Sequence, residues 1–349
     1  MTAPAHPGLD LPGLTSLRAA AALLVLLYHL TFWGVLDVPG TDAGYAGVGL
    51  FFVLSGFVLT WSARPGQSHA GFLWRRFARI YPNHLVTFVA AVVFCLAVGA
   101  LVTPGLVVAD LLLVQAWSPS GETAMSINNV AWSLSCEAAF YVAFPFLLRG
   151  LTALRPTPRT TVALAAVAAP LVVGLVWPGL APWFYHLPLT RAPEFVLGIV
   201  AALAVQEGWR PRVGPTVGGI LVLGAVVLAG LLAPGTLGTG TLVVTAGLAV
   251  PFALLVAAFA AHDLDGPRGW TAHPWLVLAG AVSYAFYLVH ELVVRGFVVL
   301  GGTGPVAAAG VLLLASAGAY GLYRLVEVPS RRRLLGFRRR DSARRYPAS

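Results

Sequence analysis

The sequence predicts an all-α membrane protein, a bundle of about ten transmembrane helices with both termini in the cytoplasm. The chain of 349 residues is 58% hydrophobic and only 10% charged, which is far less charge than a water-soluble surface carries. Apolar runs of about twenty residues, the length that crosses a bilayer, recur from end to end. Pairs such as Pro39-Gly40 and Pro104-Gly105 separate most of these runs.

Ten spans follow from the apolar runs and from the Pro and Gly junctions between them. Their expected limits are 14–33, 43–62, 83–103, 130–149, 160–177, 187–206, 213–232, 241–261, 274–298 and 305–327.

Arginine in alternate loops orients these spans. The loops after spans 2, 4, 6 and 8 carry arginine, as does the C-terminal tail, whereas the intervening loops carry none. Because cytoplasmic loops carry an excess of basic residues, both termini are predicted to be cytoplasmic. We therefore expect one transmembrane domain over residues 1–330 and a basic cytoplasmic tail over residues 331–349.

Several functional classes are excluded by composition. The two cysteines, Cys95 and Cys136, both fall in predicted spans, which argues against a disulfide framework and against a cysteine metal cluster. The eight histidines are dispersed without metal-ligand spacing, so no metal is expected. The basic residues follow the membrane surface rather than a groove, so no nucleic-acid partner is expected.

A cation and a titratable ring share one face of the first predicted span. Arg18 and His29 lie eleven residues apart, and a helix that turns about 100° per residue returns to within about 20° of the same face after that interval. Ionisable groups inside membrane helices are costly and point to function. An imidazole, with an unperturbed pKa of about 6.5, suits a general base near neutrality. A snorkelling arginine and a hydrogen-bonded core histidine are the structural alternative.

The segment Phe72–Pro82 interleaves aromatic residues with Arg75, Arg76 and Arg79. We expect it in a cytoplasmic loop, residues 63–82, where ordinary anchoring at the membrane surface is one explanation. Guanidinium groups also bind phosphates bidentately. The alternative is therefore a phosphate clamp of the kind that a nucleotide-bearing acyl donor needs.

A carboxylate lies early in the fourth span, at its predicted outer end. Glu137 is accompanied there by Ser133 and Ser135. Because a carboxylate at this position is costly unless it is paired or hydrated, Glu137 could pair with His29 or bind an acceptor hydroxyl. Helix capping is the structural alternative.

Further polar groups lie within spans 6 and 9. Arg191 and Glu194 stand at i and i+3, where an intrahelical ion pair competes with a role in substrate binding. Tyr284 and His290 lie along span 9, where a hydrogen-bonded core histidine is again the alternative. The candidates for substrate binding are Ser135, Arg191, Glu194, Tyr284 and His290.

Taken in chain order, seven stretches resemble acyltransferase family 3, a family of bacterial membrane O-acyltransferases that acylate sugars and other cell-surface or secreted molecules. The stretches run from Leu17 to Ser330 and read LRAAAALLVLLYHL, GVGLFFVLSGFVL, FLWRRFARIYP, AWSLSCEAAFYVAFPFLL, RAPEFVLGI, SYAFYLVH and VEVPS.

The resemblance implies ten core membrane helices, an acyl-CoA donor and transfer to a hydroxyl. It places His29 in the essential histidine position of an arginine–ten residues–histidine pattern that begins at Arg18. It also places Arg76 and Arg79 in an R-x-x-R pattern, and Glu137 at the glutamate of a W-S-L-x-x-E pattern.

Two departures from the family pattern stand beside these matches. Thr15 and Ser16 occupy positions where relatives often have Asp-Gly, which weakens the case for an acidic partner that orients Arg18. Asn83 and His84 follow the Arg-Ile-Tyr-Pro stretch, where relatives commonly carry apolar or aromatic residues, and we expect them to tune the pocket below His29.

These observations lead us to expect a multi-pass O-acyltransferase of the bacterial cytoplasmic membrane. Its co-substrate would be acetyl-CoA or another short-chain acyl-CoA, and its acceptor a hydroxyl of a carbohydrate or of a glycosylated or secondary-metabolite molecule. His29 would take the acceptor proton, Glu137 would orient His29 or the acceptor, and Arg75, Arg76 and Arg79 would hold the donor phosphates, with Arg18 nearer the thioester arm.

Three alternatives remain open from the sequence. The first is a covalent route through an acyl-imidazole on His29. The second is a proton-coupled transporter or exporter, in which the buried Glu and His side chains form a proton relay. The inverted repeats that many transporters carry are not evident in the sequence. The third is a membrane scaffold, which would leave the buried charges unexplained.

Overall fold

The computed structural model describes residues 10–64, 66–232, 240–266 and 269–345, and every regular element in these ranges is helical. Ten helices in this part of the chain are long and apolar enough to cross a membrane, which confirms the predicted all-α membrane bundle. They are α1 Pro12–Phe32, α2 Gly44–Trp61, α3 His69–Ala97, α4 Asn129–Ala153, α5 Pro156–Val176, α6 Pro188–Gln206, α7 Pro215–Leu232, α8 Thr241–Asp265, α9 Pro274–Val299 and α10 Gly304–Gly336.

The beginning of α3 differs from the prediction. The expected span was 83–103, preceded by an arginine-rich loop, but the helix begins at His69 and carries the arginines on its first turns. The Ser68 side chain caps it by accepting a hydrogen bond of 3.1 Å from the Gly71 amide, one of the otherwise unsatisfied N–H groups of a helix start. Pro82, which suggested a boundary, lies inside the helix. Packed membrane helices tolerate such prolines because neighbouring groups satisfy the freed backbone.

The C-terminal helix also extends beyond its predicted end at residue 327. A π-helical turn at Tyr323–Glu327 joins the membrane-spanning part to the helix Val328–Arg345, so the expected basic tail begins within a helix. Single π turns change the face on which the following residues lie and are frequent at functional sites. Residues 346–349 of the expected tail, and Arg268 of an expected cytoplasmic loop, lie outside the described residues.

Glycines allow the central helices to approach closely. A Cβ at Gly198 of α6 would overlap the Val53 carbonyl oxygen of α2, and a Cβ at Gly280 of α9 would overlap the Thr15 carbonyl oxygen of α1. Small residues at such contacts are typical of membrane helix pairs. The contact between α1 and α9 near their N-termini fixes the spacing of the two helices along which His29 and His290 lie.

We predict that Gly280→Ala destabilises the bundle. Alanine is intrinsically better than glycine inside a helix, but here its methyl group would collide with backbone, and such overpacking typically costs about 1–3 kcal/mol. The matched control is Gly224→Ala on α7, where a Cβ would have no neighbour within 4 Å. Thermal unfolding in detergent, followed by size-exclusion chromatography, should show a lower melting temperature for Gly280→Ala alone. Equal melting temperatures for the two variants would contradict the prediction.

The segment between α3 and α4 buries a carboxyl group. It contains the short helix Pro104–Leu111, and Asp110 in this helix is fully buried. Burial raises the pKa of Asp110 from its usual 3.8 to about 7. The Asp110 backbone carbonyl accepts a hydrogen bond from His84 Nε2 at 3.1 Å, which ties the segment to α3.

This burial predicts a pH-dependent stability that Asp110→Asn removes. The pKa of Asp110 is higher in the folded protein than in the unfolded chain, so the folded protein is most stable when the carboxyl is protonated in both states, below the ordinary pKa of 3.8. The free energy of unfolding then falls as pH rises from 3.8 towards about 7, by up to about 1.4 kcal/mol for each pH unit. Asp110→Asn should therefore unfold at a higher temperature than the natural protein at pH 8 and at a similar temperature at pH 4. A difference of the same size at both pH values would show that folding does not raise the pKa of Asp110.

Candidate active site

Arginine side chains line the largest of three adjoining cavities, which has a volume of about 1410 Å³ and opens between the ends of α2, α3, α4 and α10. Two of the predicted phosphate ligands, Arg75 and Arg76, line it. The guanidinium of Arg76 also lies over the rings of Phe72 and Tyr141, at 5.6 and 6.0 Å from their centroids. Three arginines that were not singled out from the sequence complete the lining: Arg64, Arg149 and Arg332.

A second cavity, of about 80 Å³, brings together residues that lie far apart in the sequence. Its lining includes Arg18 of α1, Arg76 and Arg79 of α3, and Glu137 of α4. Glu137 Oε1 accepts a hydrogen bond of 3.1 Å from Ser55 Oγ, and the Tyr141 side chain also hydrogen-bonds to Glu137. Ser55 could not be recognised as a site residue from its position in the chain, because a serine in a membrane helix usually serves packing.

A second carboxylate faces the arginine cluster formed by Arg18, Arg76 and Arg79, and it was not among the predicted site residues. Glu327, in the π turn of α10, accepts a hydrogen bond of 2.7 Å from Asn83 Nδ2 and interacts electrostatically with Arg18 and Arg79. Arg18 therefore has acidic neighbours although Thr15 and Ser16 replace the usual Asp-Gly. The signal that could have identified Glu327 is an acidic residue at the end of an apolar span.

His29 lies in a third cavity, of about 40 Å³, near the opposite end of α1 from Arg18. The residue is 7% exposed, and Nδ1 of His29 lies 2.8 Å from Nε2 of His290 on α9. Glu137 lines the neighbouring cavity instead. Aromatic rings form most of the remaining wall: Tyr28, Phe32, Tyr45, Trp132, Tyr185 and Tyr287.

The three cavities adjoin one another in series. Leu59 and Arg76 line both the largest cavity and the one that contains Arg18. Val48 and Tyr287 line both that cavity and the one that contains His29. A row of cavities thus leads from the arginine-rich end of the bundle to the imidazole, and His29 faces the interior rather than lipid.

The remaining predicted residues lie at varying distances from this row. Tyr284 lines the second cavity, and its hydroxyl donates to the Ile80 carbonyl at 2.7 Å. Ser135 is fully buried and lines none of the three cavities. Arg191 forms the intrahelical ion pair with Glu194, at 3.1 Å, and its guanidinium lies 4.9 Å from the centroid of the Tyr185 ring. The Arg191 guanidinium thus packs against an aromatic ring that lines the cavity of His29.

Comparison with known proteins identifies the family. A family model described as an acyltransferase domain matches residues 11–324. The chain belongs to this acyltransferase family. Because the part of the chain that the structure describes has ten apolar helices, this member is a multi-pass membrane O-acyltransferase.

Individual relatives agree with this assignment. The chain is 39% identical to Acyltransferase MdmB of Streptomyces mycarofaciens, across 97% of this chain and 96% of that protein. It is 25% identical to O-acetyltransferase OatA of Staphylococcus aureus, across 93% of this chain and 57% of that protein. It is 28% identical to Peptidoglycan O-acetyltransferase OatA of Listeria monocytogenes, across 55% of this chain and 33% of that protein. No solved structure matches the chain.

Proposed function

We propose that this acyltransferase transfers the acyl group of an acyl-CoA, which enters from the cytoplasm, to a hydroxyl of a carbohydrate or of a glycosylated or secondary-metabolite acceptor. The observation that supports the proposal most directly is the row of cavities between the arginine cluster and His29. Positive loops on the arginine-rich side favour a cytoplasmic position for that end, in the cytoplasmic membrane of a bacterium.

The arginine cluster suits the nucleotide end of the donor. Coenzyme A is a polyanion, and guanidinium groups bind phosphates through paired, charge-assisted hydrogen bonds. We assign Arg75, Arg76 and Arg79 to the phosphates, and Arg18, deeper in the bundle, to the thioester arm. Before the donor binds, Glu137 and Glu327 offset part of the positive charge that Arg18 and Arg79 bring into the interior.

The imidazole of His29 suits the transfer step. In the proposed step, His29 accepts the proton of the acceptor hydroxyl as its oxygen attacks the thioester carbonyl. The new C–O bond forms, the C–S bond breaks, and the proton passes from His29 to the departing thiolate of coenzyme A. Glu137 lines the preceding cavity, so we place it against the donor arm or the acceptor. No metal is required for this sequence of bond changes.

The aromatic cavity suits the acceptor. Flat rings such as those of Tyr45, Trp132 and Tyr185 offer apolar faces, with polar groups at their edges that orient a bound molecule. A carbohydrate or a glycosylated metabolite presents both kinds of surface. Mass spectrometry of envelope and secreted glycans and metabolites, with and without the gene, tests the proposal. A mass difference of one acyl group is expected, and identical profiles from producing cells would contradict it.

We predict that His29→Ala lowers the turnover number by about 10²–10⁴-fold, the usual contribution of a general base. Transfer can be followed in membrane vesicles of the source organism with acetyl-CoA that is radiolabelled in the acetyl group, counting the alkali-labile ester formed. The natural protein and the variant should elute alike from a size-exclusion column in detergent. A correctly folded His29→Ala protein with full activity would refute the catalytic assignment.

We further predict that Arg76→Gln and Arg79→Gln weaken binding of acetyl-CoA. Loss of one charge-assisted hydrogen bond costs about 1.5–3 kcal/mol, so each KM for acetyl-CoA should rise about 10–100-fold. The matched control is Arg155→Gln, because Arg155 is exposed at the start of α5 and lines none of the three cavities. Similar KM values for all three variants would show that the donor phosphates bind elsewhere.

A further inference from the structure

The ring of His290 is fixed in one orientation. Its Nδ1 atom lies 3.1 Å from the Phe286 carbonyl oxygen, one helical turn earlier on α9. The Phe286 ring stacks on it with an interplanar angle of 7° and a centroid distance of 5.7 Å, and the Tyr287 ring lies 5.8 Å away. A carbonyl oxygen only accepts hydrogen bonds, so Nδ1 of His290 is the nitrogen that carries the proton.

This assignment determines the direction of the contact between the two histidines. In a neutral imidazole one nitrogen donates and the other accepts, so Nε2 of His290 is an acceptor. It lies 2.8 Å from Nδ1 of His29, which must therefore donate. The lone pair of His29 is then on Nε2. Two neutral rings suit a position where His29 is 7% exposed and His290 is fully buried, because an isolated buried charge is costly.

We infer that His290 is a positioning residue for the transfer reaction, holding His29 in the tautomer whose free Nε2 lone pair accepts the proton of the acceptor hydroxyl. The inference rests on the proposed function. After proton transfer, His29 carries protons on both nitrogens, and its Nδ1–H still donates to the neutral Nε2 of His290. A neutral imidazole thus takes the orienting role that a buried carboxylate has in other histidine-based active sites. From the sequence, His290 was a candidate for substrate binding and Glu137 for orienting His29.

Two substitutions separate this role from substrate binding and from packing. In His290→Gln, the amide oxygen can accept from His29 Nδ1–H, so the turnover number should stay within about tenfold of the natural value. In His290→Leu, the side-chain acceptor is lost at similar volume and only the Val25 carbonyl is left as a hydrogen-bond partner of His29, so the turnover number should fall by about 10²-fold. The KM for acetyl-CoA should change less than twofold in both. The assay is the vesicle measurement with radiolabelled acetyl-CoA described above.

Each alternative outcome is distinguishable. Full activity of His290→Leu, or equal losses in the Gln and Leu variants, would overturn the inference. A raised KM with an unchanged turnover number would instead assign His290 to substrate binding. If His29→Ala is inactive while His290→Leu is active, only the positioning role fails. If His29→Ala is itself active, the general-base assignment fails first.

A direct measurement keeps the inference testable if the His290 variants do not fold. Solid-state NMR of the natural protein in membranes, with ¹⁵N-labelled histidine, reports which ring nitrogen carries the proton. The His29 signals are assigned by their loss in His29→Gln. We expect a protonated Nδ1 and an unprotonated Nε2 at His29. A proton on Nε2 of His29 in the resting protein would overturn the inference.

Discussion

The close contact between α1 and α9 brings together the two buried histidines on which the proposed chemistry depends. Near their N-termini, Gly280 lies against the backbone at Thr15. Near their C-termini, the imidazoles of His29 and His290 are within hydrogen-bond distance. The residue numbers increase from the first contact to the second in both helices, so α1 and α9 run parallel. A residue larger than glycine would separate the helices at one end, and a hydrogen bond of 2.8 Å at the other leaves little room for such a shift.

The cost of charge in an apolar interior explains the rest of the polar arrangement. Glu137 and Glu327 face Arg18 and Arg79 in one cluster, and Arg191 and Glu194 pair with each other elsewhere in the bundle. Ser55 donates a hydrogen bond to Glu137, and Asn83 donates one to Glu327. In the proposed function, the arginines of this cluster exchange their carboxylate partners for the phosphates of the donor.

The ten membrane helices could be predicted from the sequence because such helices are defined by their length and hydropathy, and both can be read from a short stretch of residues. The prediction failed at α3, where the arginines and Pro82 interrupted the apolar run and the Ser68 cap lay far upstream of it. The sequence also made His29, Arg18 and Glu137 candidates for the site, because their residue types are rare inside membranes. It could not identify their partners, because the pairing of His29 with His290, and of Glu137 with Ser55, depends on which helices pack together. The position of Glu327 likewise depends on a π turn, which could not be predicted from the residue pattern.

Arg18 and His29 lie far apart along α1, and this distance has an electrostatic consequence for a base at His29. Eleven residues of helix place Arg18 and His29 roughly 16 Å apart along the axis. At an effective dielectric constant of about 20, a unit charge at that distance disfavours an imidazolium by about 1 kcal/mol, compared with about 4 kcal/mol at 4 Å. Glu137 and Glu327, which lie on the arginine side, offset part of even that smaller repulsion. In the proposed function, this separation suits a donor with its phosphates at one end and its thioester on a long arm, since arginines that bind the phosphates would leave His29 able to accept a proton.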